Sequence, residues 1–310
     1  MQDVQDLNHI TTLCTVPVGA RRFITATTIS IEFVRDVSKF DLRTGATQKV
    51  LTHSFDPVLG SDWSFDGGLY AYAQQTTCFP APPCTISLHL VSQGTDRILT
   101  TVDLARSPGR ADIAVEFSPD GQFLAFGAPG SGNAGEQAPV QVRRLDGSLV
   151  FSSAGTGHLT WAGVRPKLYF QADGSVESWE PGKGLTRLPQ RAWLFPHRST
   201  DGAWLAYVTS DISTVRLIDT WTGKDIAIGP SGGSRSVGWI SATVLVYRKE
   251  VQCVASGTRS SSGINCGANA GVECPYQGAL CSRTVAYNIA DGRESDWNQW
   301  TFGSWPRGTP

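Results

Sequence analysis

One ten-residue pattern constrains this chain more than any other feature. Phe117-Ser118-Pro119-Asp120-Gly121-Gln122-Phe123-Leu124-Ala125-Phe126 reads as strand, tight turn, strand. Pro119 presets the backbone angle at the first turn position, Asp120 suits the next, and Gly121 accepts a positive φ without steric cost. The apolar run that follows has the composition of a buried strand. Trp63-Ser64-Phe65-Asp66-Gly67-Gly68-Leu69-Tyr70-Ala71-Tyr72 is a second copy, and Arg198-Ser199-Thr200-Asp201-Gly202-Ala203-Trp204-Leu205-Ala206-Tyr207 a third. Two degenerate copies keep a leading Trp and an apolar strand without the Asp-Gly turn: Trp161 with Lys167-Leu168-Tyr169-Phe170, and Trp239 with Thr243-Val244-Leu245-Val246-Tyr247. Ile29-Ser30-Ile31-Glu32-Phe33 supplies the strand of a sixth copy.

Each copy is followed by a second hairpin, an alternating strand that ends in a polar turn. The clearest are Lys39-Phe40-Asp41-Leu42-Arg43-Thr44-Gly45 and Leu217-Ile218-Asp219-Thr220-Trp221-Thr222-Gly223-Lys224. Looser versions end at Gly94, Gly147, Gly182 and Gly292, so two separate markers each count six. Repeats of roughly 40 residues with four short strands are the signature of propeller blades, which must stack because a blade cannot bury both faces alone. The expected fold is all-β, a six-bladed β-propeller of four-stranded antiparallel blades. A β-sandwich would give the two hairpin types no reason to alternate.

The expected boundaries are an N-terminal extension over 1–19, blades over about 20–55, 56–110, 111–155, 156–190, 191–230 and 231–300, and a C-terminal tail over 301–310. Either residues 7–18 or 297–302 could supply a ring-closing strand, since closure removes exposed sheet edges. Ten Trp among 310 residues suit large flat side chains wedged between blades. A net charge of −1 argues against nucleic acid or an anionic membrane as the main partner. No apolar stretch of about 18 residues is present to span a membrane.

There are seven cysteines. Cys78 and Cys253 each fall six residues after the last aromatic of a repeat strand, Tyr72 and Tyr247. Cys84 and Cys281 open the returning strands. Disulfides Cys78–Cys84 and Cys253–Cys281 would therefore staple the necks of two matching hairpins, with Cys266–Cys274 nested in the second. The sequential pairing Cys253–Cys266 with Cys274–Cys281 is the alternative. Spacings of 12, 7 and 6 residues lack the close Cys-x2-Cys pairs of common zinc modules, so no metal is expected. Disulfides imply an oxidising compartment. The polar start Met1-Gln2-Asp3-Val4 lacks the pattern of a secretory signal, so the expected setting is extracytoplasmic with the signal absent from this chain. Cys14 is left over.

No catalytic constellation emerges, and no cofactor is expected. Gly229-Pro230-Ser231-Gly232-Gly233 matches a hydrolase pattern but precedes a strand rather than a helix, so it reads as a connector. His158 and His197 lie just before the first strands of adjacent blades. Arg110, Trp193 and Arg235 occupy equivalent connecting segments. Those connections line one mouth of a propeller's central channel, where Arg, His and Trp suit a protein partner's loop or a small anionic or sugar ligand.

The repeat core, Trp/Phe-Ser-x-Asp-Gly-x-x-Leu-Ala-Tyr/Phe, resembles the TolB-type β-propeller repeat. It is carried by Trp63–Tyr72 and Phe117–Phe126, and less fully by Arg198–Tyr207, where Arg198 replaces the leading aromatic. The resemblance implies a six-bladed ring from a bacterial envelope or secreted setting that acts as a protein-binding platform. The 310 residues leave no room for the hydrolase domain that follows related propellers in prolyl oligopeptidases, or for the extra N-terminal α/β domain of TolB. The expected function is a non-catalytic, extracytoplasmic protein-interaction scaffold. The alternative is a propeller enzyme or ligand-binding protein acting on a sugar or small anionic compound in the channel.

Overall fold

A computed structural model describes residues 20–25, 28–33, 36–41, 43–52, 58–77, 84–104, 113–127, 139–162, 165–191, 193–199, 201–231, 237–252, 264–265, 273–274 and 280–296. All regular structure among them is β. Six four-stranded antiparallel sheets follow one another along the chain, each strand pairing with the next. Blade one holds β1 (Ala20–Thr25), β2 (Thr28–Phe33), β3 (Asp36–Asp41) and β4 (Thr47–Thr52). Blade two holds β5 (Val58–Trp63), β6 (Leu69–Thr77), β7 (Cys84–Ser92) and β8 (Thr95–Leu104). Blade three holds β9 (Ala114–Phe117), β10 (Phe123–Gly127), β11 (Val140–Arg144) and β12 (Leu149–Ser153). Blade four holds β13 (Thr156–Ala162), β14 (Lys167–Ala172), β15 (Ser175–Glu180) and β16 (Gly184–Arg191). Blade five holds β17 (Trp193–Arg198), β18 (Trp204–Thr209), β19 (Thr214–Asp219) and β20 (Asp225–Pro230). Blade six holds β21 (Val237–Trp239), β22 (Val244–Gln252), β25 (Leu280–Asn288) and β26 (Arg293–Asp296). Between β22 and β25 lies a small hairpin of β23 (Ile264–Asn265) and β24 (Glu273–Cys274). The first four sheets build one compact unit and the last two another, the division falling within the fourth sheet.

The apolar second strand is buried where a blade lies on either side of it, as in blade three. In β10, Leu124 and Phe126 join Leu88, Leu90, Val115 and Phe117 between blades two and three. Phe123 and Ala125 point the other way, into a cluster with Trp161, Leu168, Phe170 and Trp179. The period of two therefore divides one continuous apolar run between two interfaces. Blades five and six enclose an equivalent core of Val208, Leu217, Trp239, Leu245 and Tyr247. Outer strands such as β4 and β12 are largely exposed.

The repeated turn is built around its serine. Ser118 N–H donates to Phe123 O at 2.9 Å, and the Ser118 hydroxyl accepts from Phe123 N at 2.9 Å. That hydroxyl donates in turn to Asp120 Oδ1 at 2.6 Å, which also accepts Gln122 N–H at 3.1 Å. Ser64 with Asp66 and Ser199 with Asp201 repeat the arrangement. All three serines are buried. The glycine closing each turn has positive φ, +68° at Gly67, +67° at Gly121 and +73° at Gly202.

Six of the seven cysteines were expected to pair. Cys78, Cys253 and Cys266 lie outside the described residues, as does Cys14. Cys84 opens β7, Cys281 is the second residue of β25, and Cys274 ends β24. The extension over 1–19 and the tail over 301–310 are likewise outside the described residues. Ser231 of the hydrolase-like pattern is buried and bridges to Lys249 after β20, and the next described element is the strand β21. No helix among the described residues is long and apolar enough to cross a membrane.

Packing between blades two and three tests the fold most directly. A Cβ at Gly60 would stand 1.7 Å from the backbone oxygen of Ile113, whose N–H donates to Leu59 O at 3.2 Å. Gly60→Ala must push β5 and the start of blade three apart. The expected result is a loss of at least about 2 kcal/mol in urea unfolding, a cost of the kind overpacking brings. An unchanged midpoint would show that the two strands are not so closely apposed.

Candidate functional site

The first strand of each blade has a hydrogen-bonded neighbour on one side only, so its other edge needs partners. Carboxylates from the preceding blade provide them. Asp62 Oδ2 accepts Phe117 N–H at 2.9 Å, and Glu116 Oε2 accepts Trp161 N–H at 3.2 Å. The Trp161 indole donates to Glu116 O at 3.0 Å, and the Trp239 indole donates to His197 O at 2.9 Å. These acids are committed to joining blades. Among the described residues no three His, Cys, Asp or Glu side chains gather to hold a metal ion.

A second polar device recurs toward the outer strands. The last aromatic of the repeat donates its hydroxyl to an acid on the fourth strand: Tyr72 to Asp96 at 2.6 Å, Tyr207 to Asp225 at 2.9 Å, and Tyr247 to Glu294. A basic or imidazole group shares each acid. Arg216 Nε lies 3.1 and 3.0 Å from the two Asp225 oxygens. Lys249 reaches Glu294, and His89 Nδ1 lies 3.1 Å from Asp96 Oδ1. The His89 ring stacks on Tyr72 with centroids 4.4 Å apart, and its Nε2 is buried without a hydrogen-bond partner among the described residues. An ionised carboxylate only accepts, so Nδ1 of His89 carries a proton. Burial first, and then the adjacent acid, push the hydroxyls of Tyr72 and Tyr247 well above the ordinary tyrosine range. Burial and the charge of Asp225 do the same to Tyr207. Such tyrosines stay protonated and donate; they do not act as bases.

The sequence-predicted mouth residues fare differently from one another. Arg110 and Arg235 lie outside the described residues. His158 is in β13, placed by its backbone. Trp193 opens β17 and is fully buried, its ring 5.4 Å from that of Tyr207. It fills blade five instead of lining a surface, because the first strand turns its side chain into the sheet's own core. His197 is half-buried in β17, and its backbone carbonyl receives the Trp239 indole.

The exposed features of blade five lie at its two ends. At one end, the turn from β18 to β19 holds Ile212 at φ +62° with 43% of its surface exposed. A β-branched residue in the left-handed region is a true outlier and costs about 1–2 kcal/mol. Ile212 N–H donates to Thr209 O at 2.8 Å. Asp211 Oδ1 accepts from the Thr209 hydroxyl at 2.6 Å, the Ser213 hydroxyl at 2.8 Å and Ser213 N–H at 3.1 Å. These bonds hold the Asp211 carboxyl down at about 2.

At the other end, the β19–β20 turn presents Trp221. Its frame is repeated in blade one and blade six. Asp219 Oδ1 accepts Trp221 N–H at 2.8 Å, as Asp41 Oδ1 accepts Arg43 N–H at 2.8 Å and Asn288 Oδ1 accepts Ala290 N–H at 2.9 Å. Gly223, Gly45 and Gly292 close the three turns with N–H donors to the backbone oxygens of Asp219, Asp41 and Asn288. The residue in the middle contributes only its backbone. Sequence reasoning quoted these hairpins as repeat markers without seeing that their third position is free of structural duty. An alignment of the three turns would have exposed it.

The clamped tyrosines set the alkaline limit of stability. An unfolded tyrosine loses its proton near pH 10, while Tyr72, Tyr207 and Tyr247 keep theirs in the folded chain. Their contribution is therefore complete below about pH 10 and is lost as pH rises toward the folded values. The thermal midpoint should fall above pH 10, and the fall should be shallower in Tyr72→Phe/Tyr207→Phe/Tyr247→Phe. Equal slopes would remove the clamps from the account.

No protein-family model and no curated protein sequence matches the chain. Among solved structures, the dihydro-heme d1 dehydrogenase NirN in complex with DHE aligns with a TM-score of 0.53 and 12% identity, over 91% of this chain and 56% of that one. An oligogalacturonate lyase from Vibrio parahaemolyticus aligns with a TM-score of 0.52 and 12% identity, over 72% of this chain and 71% of that one. TolB from Acinetobacter baumannii aligns with a TM-score of 0.46 and 18% identity, over 84% of this chain and 58% of that one. The chain thus spans less than two thirds of the TolB and NirN chains. At such identities it is the fold that is shared, and the chain has the β-propeller fold that its TolB-type repeats imply.

Proposed function

We propose that this propeller is a non-catalytic scaffold that binds a protein partner outside the cytoplasm, through the end of the blades that carries the β18–β19 turn. The observation that supports the reading is Ile212. Exposure gives an apolar side chain nothing, and the left-handed backbone costs energy, yet a turn in which Asp211 Oδ1 accepts three hydrogen bonds holds both in place. Strain at an exposed apolar residue is what a contact surface requires and folding does not. The same end of blade five is where β17 begins, so the connection into that blade shares the side of the β18–β19 turn. Chemistry has less support, because the titratable groups described above are engaged in bonds within or between blades.

The experiment is a photo-crosslinking residue at Ser210, beside Ile212, in cells that produce the protein naturally. The expected result is a discrete protein adduct that purified wild-type chain competes away and Ile212→Asn competes about tenfold less well. Asparagine tolerates the left-handed region, so the same variant should gain about 1 kcal/mol, or about 2 °C in thermal midpoint. No adduct, together with saturable binding of a sugar or organic acid that His158→Ala/His197→Ala abolishes, would replace the scaffold with the ligand-binding reading.

Compartment is tested by thiols. Peptide mass spectrometry without reductant should recover Cys78–Cys84, Cys253–Cys281 and Cys266–Cys274, as an oxidising setting demands. Recovery of all seven cysteines as free thiols from natively produced protein would place it in a reducing compartment.

A further inference from the structure

Blade two carries a series of rings that runs from its first strand to its third and ends on an acid of the fourth. Trp63 of β5 lies 4.8 Å from Tyr70 of β6, centroid to centroid, and Tyr70 lies 5.8 Å from Tyr72 of the same strand. Tyr72 stacks on His89 of β7 at 4.4 Å, and both donate to Asp96 of β8. All four rings are buried. Packing alone is met by phenylalanine, as at Phe126 and Phe170 in the next two blades. The three rings from Trp63 to Tyr72 are instead indole and phenol, the ring side chains that give up a single electron most readily.

The two ends of the series are unequal. The Lys39 ammonium stands over the Trp63 ring, 4.9 Å from its centroid, and the Trp63 indole N–H has no hydrogen-bond partner among the described residues. A neighbouring positive charge opposes a radical cation at Trp63, and no base is placed to take its proton. At Tyr72 both conditions are reversed. Its hydroxyl donates at 2.6 Å to Asp96 Oδ2, a base already positioned for the proton that a phenol releases on losing an electron.

We infer that Tyr72 is a redox-active tyrosine, fed from Trp63 through Tyr70, that collects oxidising equivalents from one-electron oxidants such as high-valent metal complexes and oxygen-centred radicals. The oxidant gains one electron. The Tyr72 O–H bond breaks, its proton passes to Asp96, which becomes the neutral acid, and a phenoxyl radical remains on Tyr72. One electron from a thiol or ascorbate-type reductant, with the proton returned by Asp96, restores the phenol. The radical is shielded, since Tyr72 is buried and covered by the His89 ring. The other two clamped tyrosines are poorer sites. Trp193 meets Tyr207 at 5.4 Å, but the Arg216 cation shares Asp225 and weakens it as a base. Lys249 does the same to Glu294 beside Tyr247. In blade two the acid is shared with an imidazole N–H.

The test is oxidation of the full chain by photogenerated tris(bipyridine)ruthenium(III), with radicals read by transient absorbance and by electron paramagnetic resonance after freezing. Every sample carries Trp221→Phe, so that the most exposed indole does not intercept the oxidant. This chain should give a neutral tyrosyl radical. Adding Tyr72→Phe should abolish it and leave a tryptophanyl signal, whereas adding Tyr207→Phe/Tyr247→Phe should leave it in place. Trp63→Phe should remove most of the tyrosyl yield. Asp96→Asn still accepts the hydroxyl's hydrogen bond but cannot take the proton, so tyrosyl formation should slow about 100-fold, the scale of assistance by a positioned base. A tyrosyl signal that survives Tyr72→Phe, or that disappears with Tyr207→Phe/Tyr247→Phe, would overturn the inference. So would an unchanged rate in Asp96→Asn, the variant that decides should Tyr72→Phe fail to fold by circular dichroism. An unchanged yield in Trp63→Phe would overturn the feed from Trp63.

Discussion

The open edge of the first strand is the constraint on which the rest depends. In β9 and β13 that edge carries backbone N–H groups with no fifth strand to receive them. A buried donor without a partner costs about as much as a lost hydrogen bond. Asp62 and Glu116 remove that cost, each one residue before the aromatic that opens its own repeat. One dipeptide thus does two things: its aromatic wedges into the interface, and its acid reaches forward to the next blade. Where blade six follows blade five, the Trp239 indole donates to the His197 carbonyl, as the Trp161 indole donates to that of Glu116. This explains why the leading aromatic survives in degenerate repeats that have lost the Asp-Gly turn.

The outer strands face a different problem. They are half solvated, and the aromatic at the end of the repeat strand reaches toward them. Blades two, five and six resolve it with a tyrosine hydroxyl on a fourth-strand acid. Blades three and four place Phe126 and Phe170 there and bury them fully, with no hydroxyl to satisfy. The clamp is therefore an option taken where the outer strand carries an acid, with Arg216, Lys249 or His89 sharing its charge. A tyrosine whose proton is held so firmly supports structure, which is why a cluster containing His and Asp in blade two does not by itself point to catalysis.

Much of this was legible in the sequence. The ten-residue repeat and its alternating partner hairpin lead to six four-stranded blades because both are local: turn residues sit at fixed offsets, and the apolar run follows at once. The serine of the repeat was visible but its role was not, since Ser64, Ser118 and Ser199 act through a backbone group five residues on. The tyrosine clamps were illegible for the same reason in stronger form. Tyr72 and Asp96 are 24 residues apart, and Tyr247 and Glu294 are 47 apart. Trp193 was misjudged because a connecting-segment position says nothing about which way a side chain points.

Function shows most where the local rules of folding stop explaining the residue present. A five-residue turn that is built alike around Arg43, Trp221 and Ala290 leaves its central side chain unspecified, so whatever is selected there answers to something outside the fold. Ile212 goes further, because its backbone opposes the residue chosen. Asparagine or glycine would relieve the turn, and Asp211 already supplies the bonds that fix its shape. Consistency between local preference and global structure is what makes a sequence fold, and departures from it gather at surfaces that do work. In blade five two such departures stand at opposite ends of a sheet whose interior obeys every rule of burial and pairing.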